Sequence, residues 1–182
     1  FLTLVARLHP HTYDFVAFII DGTLGFQPSR TVAVVMSLLP GGKDLLTIAY
    51  AALAYGFPVL YALQLKSGAR TPVNVYAVFL TSALCALALY QLCPIAGPAY
   101  AFGTDFPLRL PEAEALPQFQ TIIPVAARNG MPSMHLGWSL LLWMNAGYVG
   151  RWARAGFALL VGLTVLATLG LGEHYLVDLA AG

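Results

Sequence analysis

Long apolar runs dominate this sequence and restrict the folds that it can adopt. A helix of about 20 apolar residues is long enough to cross the hydrocarbon core of a bilayer. Four runs approach or reach this length with almost no charge, at residues 45–65, 73–93, 134–149 and 153–171, and a fifth opens at His174. None shows the period-two alternation of a membrane β-barrel strand. The runs therefore predict an all-α fold, a polytopic bundle of transmembrane helices.

The small number of charged residues supports a membrane location. Only 9% of the 182 residues are charged and 59% are hydrophobic, whereas an average soluble domain carries about 25% charged residues. So few charges cannot cover a water-facing surface, which excludes an ordinary soluble domain. A formal net charge of +1 without a basic run gives no sign of nucleic-acid binding. Cys85 and Cys93 lack the spacing of metal ligands and predict no disulfide framework.

The segments outside these runs form an N-terminal part and one long loop. Within residues 1–44 the apolar stretches are too short to span a bilayer, and glycine and proline interrupt them, so we expect interfacial or re-entrant helices. Residues 45–182 are predicted to form the transmembrane core, and residues 94–131 an extramembrane loop within it. The chain stops at Gly182 within an apolar stretch, which we interpret as a fragment of a longer protein.

Basic residues indicate how the helices are oriented. Two basic residues follow the first run and two separate the third and fourth runs, without an acid in either connection: Lys66, Arg70, Arg151 and Arg154. Because basic loops tend to stay on the cytoplasmic side, both connections are predicted to be cytoplasmic. The loop 94–131 and the turn before His174 are then predicted to lie on the non-cytoplasmic face.

Polar residues gather just before the third run, in the sequence RNGMPSMHLGW of residues 128–138. Proline suits the first position of a helix, where its missing N–H costs nothing. The third helix is therefore predicted to begin near Pro132, with Ser133 and His135 in its first turn. A helix N-terminus offers free N–H groups and a positive dipole end, which suit phosphate. Arg128, just outside this helix, is predicted to add guanidinium donors to phosphate oxygens.

A second polar group follows the fourth run, in the sequence GEHYLVD of residues 172–178. His174 and Asp178 are four residues apart and share one face of a helix. A carboxylate there can accept a hydrogen bond from one ring nitrogen and leave the other free as a nucleophile. An aspartate inside a membrane helix is costly and normally marks function or a partner. If every run crosses the membrane once, both histidine-bearing segments meet at one membrane face.

Together these segments resemble the type 2 phosphatidic acid phosphatase superfamily. Its second motif, Pro-Ser-x-His, is present from Pro132 to His135, and its third motif ends in His-x-x-x-Asp, present from His174 to Asp178. The longer strings MPSMHLGW, EHYLVDLAAG and YDFVAFIIDGTLGFQPS are similar to the branch that contains inositol phosphorylceramide synthases and their bacterial relatives. The resemblance implies a phosphatidic acid phosphatase type 2/haloperoxidase-like fold in one membrane-embedded catalytic domain, residues 1–182.

The resemblance also implies a metal-independent enzyme, without a cofactor, that uses a phosphohistidine intermediate. His174 would attack the phosphorus of a membrane lipid phosphate, and Asp178 would orient the His174 ring and stabilise its positive charge. His135 would protonate the departing oxygen and then act as base for the acceptor, which is water or a lipid alcohol. The branch implies transfer of a phospho-headgroup, and the alternative is a lipid phosphate phosphatase of the phosphatidic acid or polyprenyl diphosphate type. We expect an integral protein of a bacterial inner (plasma) membrane, with the active site on the non-cytoplasmic face.

The sequence departs from the family pattern at the cations that bind phosphate. The first family motif, Lys-x₆-Arg-Pro, is absent, and CPIAGPAY at residues 93–100 stands in its place, with Tyr100 as its only strong donor. The arginine expected before the histidine of the third motif is also missing. Arg128, Ser133 and Tyr100 are therefore predicted to bind the phosphate together with backbone N–H groups, and a contribution from Arg109 stays open.

Each of these residues also has a structural interpretation. His135 could be a polar residue at a helix entrance, and His174 with Asp178 could hydrogen-bond two helices together. Arg128 could anchor a headgroup, and Arg109 could be a solvated loop charge. A non-catalytic transporter or scaffold would keep the histidines for structure alone and would not need to bring their rings together. The distance between the two rings therefore discriminates an enzyme from this second class.

Overall fold

The computed structural model describes residues 2–68, 74–111, 121–122 and 126–182. Within these ranges the elements in chain order are α1 Leu2–Leu8, β1 His11–Thr12, α2 Asp14–Gly22, α3 Pro28–Ser37, α4 Gly42–Ser67, α5 Val75–Leu92, α6 Pro98–Phe102, β2 Thr121–Ile122, α7 Met134–Ala146, α8 Arg151–Gly170 and α9 Leu176–Ala181. The two short strands pair antiparallel, with His11 opposite Ile122. The described part of the chain is thus mainly helical with almost no strand, which confirms the predicted all-α class.

Three helices are long and apolar enough to cross a membrane, namely α4, α5 and α8. They contain 26, 18 and 20 residues. Their positions match the predicted runs 45–65, 73–93 and 153–171. A polytopic transmembrane helical bundle is therefore confirmed.

Helix α7 is shorter than the predicted third span. The sequence predicts a span over residues 134–149, but α7 ends at Ala146 after 13 residues. At 1.5 Å per residue this helix is about 20 Å long, whereas the hydrocarbon core is about 30 Å thick. The helix stops in a tight turn, in which the Tyr148 N–H donates to the Asn145 carbonyl and the Gly150 N–H donates to the Ala146 carbonyl. The predicted end of this run at residue 149 is therefore wrong, because the helix ends at Ala146.

The first three helices are too short to cross a bilayer. Helices α1, α2 and α3 contain 7, 9 and 10 residues. Helix α3 packs against α8, and α2 packs against α6 and α9. Helices α2 and α3 therefore pack against α6, α8 and α9. The location of residues 1–44 at the membrane interface stays a prediction.

Helices α4 and α8 run antiparallel. Leu46, near the start of α4, packs in one cluster with Ala167, near the end of α8. Leu60, toward the end of α4, packs in another cluster with Phe157, near the start of α8. The end of α4, with Lys66 in its last turn, therefore lies at the same end of the bundle as the start of α8 at Arg151. The segment that follows α8 lies at the opposite end.

Helix α7 fits closely against α4 in the centre of the bundle. A Cβ at Gly56 would lie only 2.5 Å from Leu142 Cδ1, so glycine is what allows the two helices to approach here. Leu142 is fully buried in the same cluster as Leu60 and Phe157. This packing fixes the start of α7 relative to α4 and α8, and the start of α7 carries His135.

Candidate active site

Two histidine rings meet at one end of the bundle. His174 Nε2 lies 3.3 Å from His135 Nδ1, although the two residues are 39 positions apart. Their ring centroids are 5.5 Å apart, and the ring planes cross at 63°. The structure therefore brings together the two imidazoles that the sequence motifs single out.

A tight turn between α8 and α9 presents His174. Gly172 has φ 73°, a left-handed conformation that glycine adopts without steric cost. A Cβ at this position would also lie 2.9 Å from Phe106 Cδ1. After this turn the His174 N–H donates to the Thr168 carbonyl at 3.2 Å. The His174 side chain is only 4% exposed, so the protein fixes its position on all sides.

Asp178 lies behind His174, on the side away from His135. Asp178 Oδ2 is 3.5 Å from His174 Nδ1 and accepts the Tyr175 N–H at 3.1 Å. At 3.5 Å the carboxylate and the imidazole are just beyond ordinary hydrogen-bond length, and a shift of a few tenths of an ångström would complete the bond. Because Nδ1 faces the carboxylate, Nε2 is the nitrogen that points toward His135.

The surroundings of His174 favour its neutral form. Burial lowers the pKa of His174 to about 4, while the Glu173 carboxylate and the Gly130 carbonyl act in the opposite direction. Burial raises the pKa of Glu173, and His174 opposes that shift. A neutral imidazole keeps a lone pair on one ring nitrogen, which is the form that a nucleophile requires.

Ser133 occupies the N-cap position of α7, one residue before the helix begins. The helix therefore starts two residues after Pro132, and His135 lies in its first turn, close to the prediction. The Ser133 N–H donates to the Asp178 carbonyl at 3.2 Å, which joins the start of α7 to α9. Ser133 Oγ is buried and has no hydrogen-bond partner within the described residues. Its predicted contact with phosphate stays a prediction.

Arg128 contacts backbone carbonyls of two chain segments. Its side chain is fully buried, and it donates from Nε to the His9 carbonyl at 2.9 Å, from Nη1 to the Ala126 carbonyl at 2.6 Å and from Nη2 to the Pro10 carbonyl at 3.4 Å. These bonds hold the chain after α1 against the segment that precedes α7. The contacts give Arg128 a structural role and provide no support for its predicted role as a phosphate ligand.

Tyr100 is accessible beside the histidine turn. It lies in α6 and is 58% exposed. The Ala99 N–H, one residue earlier, donates to the Gly172 carbonyl at 2.8 Å, so α6 rests on the turn that carries His174. This position is compatible with the predicted role of Tyr100 as a donor to phosphate. Arg109 is exposed and lines a separate cavity with Lys43 and Asp105.

Two aspartates of α2 hold the loops around the histidine pair. Asp21 accepts the Leu176 N–H at 2.7 Å and the Val177 N–H at 3.0 Å, at the start of α9. Asp14 accepts the Gly97 N–H at 2.8 Å and the Tyr175 hydroxyl at 3.1 Å. Both carboxylates are buried. Asp14 and Asp21 are seven residues apart and therefore lie on one face of α2. This spacing is the sequence signal that indicates a shared role in holding the neighbouring loops.

Tyr50 was not singled out from the sequence. Its ring stacks on the His135 ring, with centroids 4.3 Å apart and planes 28° apart. Tyr50 belongs to α4, inside an apolar run where an aromatic residue gives no signal of function. Only the packing of α4 against α7 identifies this contact.

An apolar groove leads to His135 between α4, α5 and α7. Its volume is about 490 Å³, and its walls include Tyr50, Phe57, Phe79 and Trp138. This volume falls within the range of about 300–1,000 Å³ that is typical of ligand pockets. Because α4 and α5 are candidate membrane spans, the groove is suited to an apolar chain that enters from the bilayer.

The fold and the site define an integral membrane helical protein with a His–His–Asp group at one end of its bundle, in which His174 and Asp178 are buried and His135 is partly accessible. A family model described as the PAP2 superfamily matches residues 18–182, which is most of the chain, and the chain therefore belongs to the PAP2 superfamily. A search of curated proteins and a search of solved structures found no match. Membership confirms the resemblance at the level of the superfamily and indicates a phosphatase or phosphotransferase of lipid phosphates. The inositol phosphorylceramide synthase-like branch stays a prediction.

Proposed function

We propose that this protein is a metal-independent lipid phosphotransferase of the inositol phosphorylceramide synthase-like type. It moves a phospho-headgroup from a membrane lipid to a lipid alcohol through a phosphohistidine on His174. The observation that carries this proposal is the 3.3 Å approach of His174 Nε2 to His135 Nδ1, with Asp178 on the opposite side of the His174 ring.

In the first half-reaction, His174 Nε2 forms a bond to phosphorus while the bond between phosphorus and the departing lipid oxygen breaks. His135 donates a proton to that oxygen, which leaves as a neutral alcohol. Asp178 accepts a hydrogen bond from Nδ1 and stabilises the positive charge of the phosphorylated imidazole. A phosphate that enters between the rings must widen their 3.3 Å contact, so substrate binding includes a movement of at least one imidazole.

In the second half-reaction, His135 is neutral after giving up its proton and acts as the base. It takes the proton from the acceptor hydroxyl as the acceptor oxygen attacks phosphorus. The bond from His174 Nε2 to phosphorus then breaks, and the neutral nucleophile is restored. Both half-reactions use the same two imidazoles, and neither assigns a step to a metal or a cofactor.

The phosphate site of this proposal contains few cations. The family's cationic motif residues are missing from the sequence, and Arg128 is engaged by backbone carbonyls. The donors that we assign to the phosphate are the first N–H groups of α7, Tyr100 and Ser133. A phosphodiester carries less negative charge than a phosphomonoester and needs less compensation. The small number of cations near the histidines therefore favours transfer of a phospho-headgroup over hydrolysis of a monoester.

The ends of the helices support a membrane arrangement for this proposal. Lys66 and Arg151 lie at one end of the bundle, and the basic end of a membrane protein tends to be cytoplasmic. The histidine pair at the other end is then on the non-cytoplasmic face of a bacterial plasma membrane. The groove of about 490 Å³ between α4, α5 and α7 would hold an acyl chain of the donor lipid in this single catalytic domain.

A lipid assay tests this function directly. Purified protein is incubated with a membrane lipid extract, and both free phosphate and new phospholipid species are followed, with the His174→Ala variant as the blank. We expect new phosphodiester lipids with little free phosphate. Release of free phosphate alone would instead identify a lipid phosphate phosphatase. Neither product, over a range of lipids, would favour a non-catalytic transporter or scaffold.

A further inference from the structure

A second pocket touches His135 nearer the end of α5. Its volume is about 170 Å³, and its walls include Ala83, Ala86 and Tyr90 of α5 together with Asn129. His135 and Trp138 line both this pocket and the larger groove. The Trp138 Nε1–H donates to Ser82 Oγ at 3.0 Å, so the indole bridges α7 and α5 where the two cavities adjoin. His135 is thus accessible from two separate spaces.

Two polar side chains, Tyr90 and Asn129, line this pocket. Within the described residues no hydrogen bond engages the Tyr90 hydroxyl or the Asn129 side-chain amide, and neither group is fully enclosed by protein, so both are open to a molecule in the pocket. The pocket therefore offers two hydrogen-bonding groups beside the histidine that acts as base.

We infer that this small pocket binds the acceptor alcohol of the transfer reaction. The inference rests on the proposed function. The Tyr90 hydroxyl and the Asn129 amide hold the acceptor hydroxyl beside His135, and Ala83 and Ala86 contact its first carbon atoms. The oxygen of this alcohol forms the new bond to phosphorus, its proton passes to His135, and the His174–phosphorus bond breaks. The departing alcohol of the donor occupies the larger groove, so acceptor and leaving group approach His135 from different sides.

The test compares transfer with hydrolysis in the same reaction. The variants Tyr90→Phe and Ala86→Leu are assayed with a long-chain diacylglycerol as acceptor, and phosphoenzyme formation is followed in parallel. Losing one hydrogen bond to the acceptor is expected to lower the ratio of transfer to hydrolysis by about fivefold to tenfold in Tyr90→Phe and to raise KM for the alcohol. Ala86→Leu fills the pocket and is expected to lower the same ratio. Tyr55→Phe is the matched control, because Tyr55 is 70% exposed and lies outside both cavities.

The outcomes separate this inference from the proposed function. A wild-type ratio in both variants, in a protein that forms a phosphoenzyme, would overturn the assignment of the pocket alone. An equal decrease in phosphoenzyme formation and in transfer would also overturn it, because the pocket would then serve the donor. A wild-type protein that forms no phosphoenzyme would overturn the proposed function, and the pocket assignment with it.

Discussion

Tyr50 and His135 form a parallel stack, with ring centroids 4.3 Å apart and planes 28° apart. His135 therefore contacts the tyrosine ring of α4 and, at 3.3 Å, His174 Nε2. A stacked aromatic ring restricts rotation of the imidazole. The stack thus holds His135, the proposed acid and base, in position from a helix that contains neither family motif.

Replacing Tyr50 with leucine is expected to slow turnover while Tyr50→Phe keeps most of it. An aromatic pair contributes about 0.5–1.5 kcal/mol, which corresponds to a decrease in kcat of about 2- to 12-fold. The measurement is the rate of lipid turnover at saturating donor. Tyr55→Leu is the control for a tyrosine lost from the exposed face of the same helix. Equal rates for Tyr50→Leu and Tyr55→Leu would rule out a positioning role.

Replacing Asp21 with asparagine is expected to weaken both stability and catalysis. The carboxylate accepts two N–H groups at the start of α9, and charge-assisted hydrogen bonds of this kind contribute about 1.5–3 kcal/mol. Because α9 carries Asp178 behind His174, kcat should fall together with Tm. Thermal unfolding and turnover in the same detergent measure both effects. The matched control is Asp44→Asn, an exposed aspartate in the first turn of α4, and identical behaviour of the two variants would contradict the predicted role.

Loss of His135 is expected to matter most for substrates with a poor leaving group. General acid catalysis contributes about 10²–10⁴-fold, so His135→Ala should lose about that much activity with a lipid substrate, whose alcohol needs a proton to depart. An aryl phosphodiester with an acidic phenol needs little protonation and should show a much smaller decrease in phosphoenzyme formation. His11→Ala serves as the control, because His11 is exposed in β1. The same loss with both substrates would show that His135 is not the acid.

The pH dependence of kcat/KM tests the protonation state of His174, the proposed nucleophile. Burial lowers the pKa of His174 to about 4, so its ring is neutral and nucleophilic above this pH and becomes protonated and inactive as the pH falls through it. With an aryl phosphodiester, which needs no general acid, kcat/KM should therefore stay level near pH 7 and decrease only as the pH approaches about 4. A decrease centred near pH 6.5, the ordinary value for histidine, would mean that His174 is not buried in this way.

The local parts of the site could be predicted from the sequence. His174 and Asp178 lie four residues apart, and Pro132-Ser133 marks a helix start close to His135, so short-range geometry places these groups. The length of the apolar runs likewise predicted α4, α5 and α8, because run length is a local property of the sequence. Helix α7 was overestimated because apolar composition continues through residues 147–149, where the backbone already turns.

The long-range parts of the site could not be predicted in the same way. Which ring contacts His135 depends on the packing of α4 against α7, and apolar periodicity does not specify a packing partner. Arg128 illustrates the same limit, because a guanidinium next to a helix start can donate either to a phosphate or to backbone carbonyls. Here the chain at His9 and Pro10 supplies the carbonyls. The N–H groups that Asp14 and Asp21 accept lie about 80 and 155 residues further along the chain, so no local pattern names these partners.

The most direct measurement is the detection of a phosphate on His174. The purified protein is mixed with donor lipid, quenched at alkaline pH to preserve an acid-labile phosphoramidate, digested and examined by mass spectrometry. We expect one phosphorylated histidine, at position 174, and none in His174→Gln, while His11→Gln behaves like the wild type. Turnover by His174→Gln, or a phosphate carried on another residue, would contradict the account.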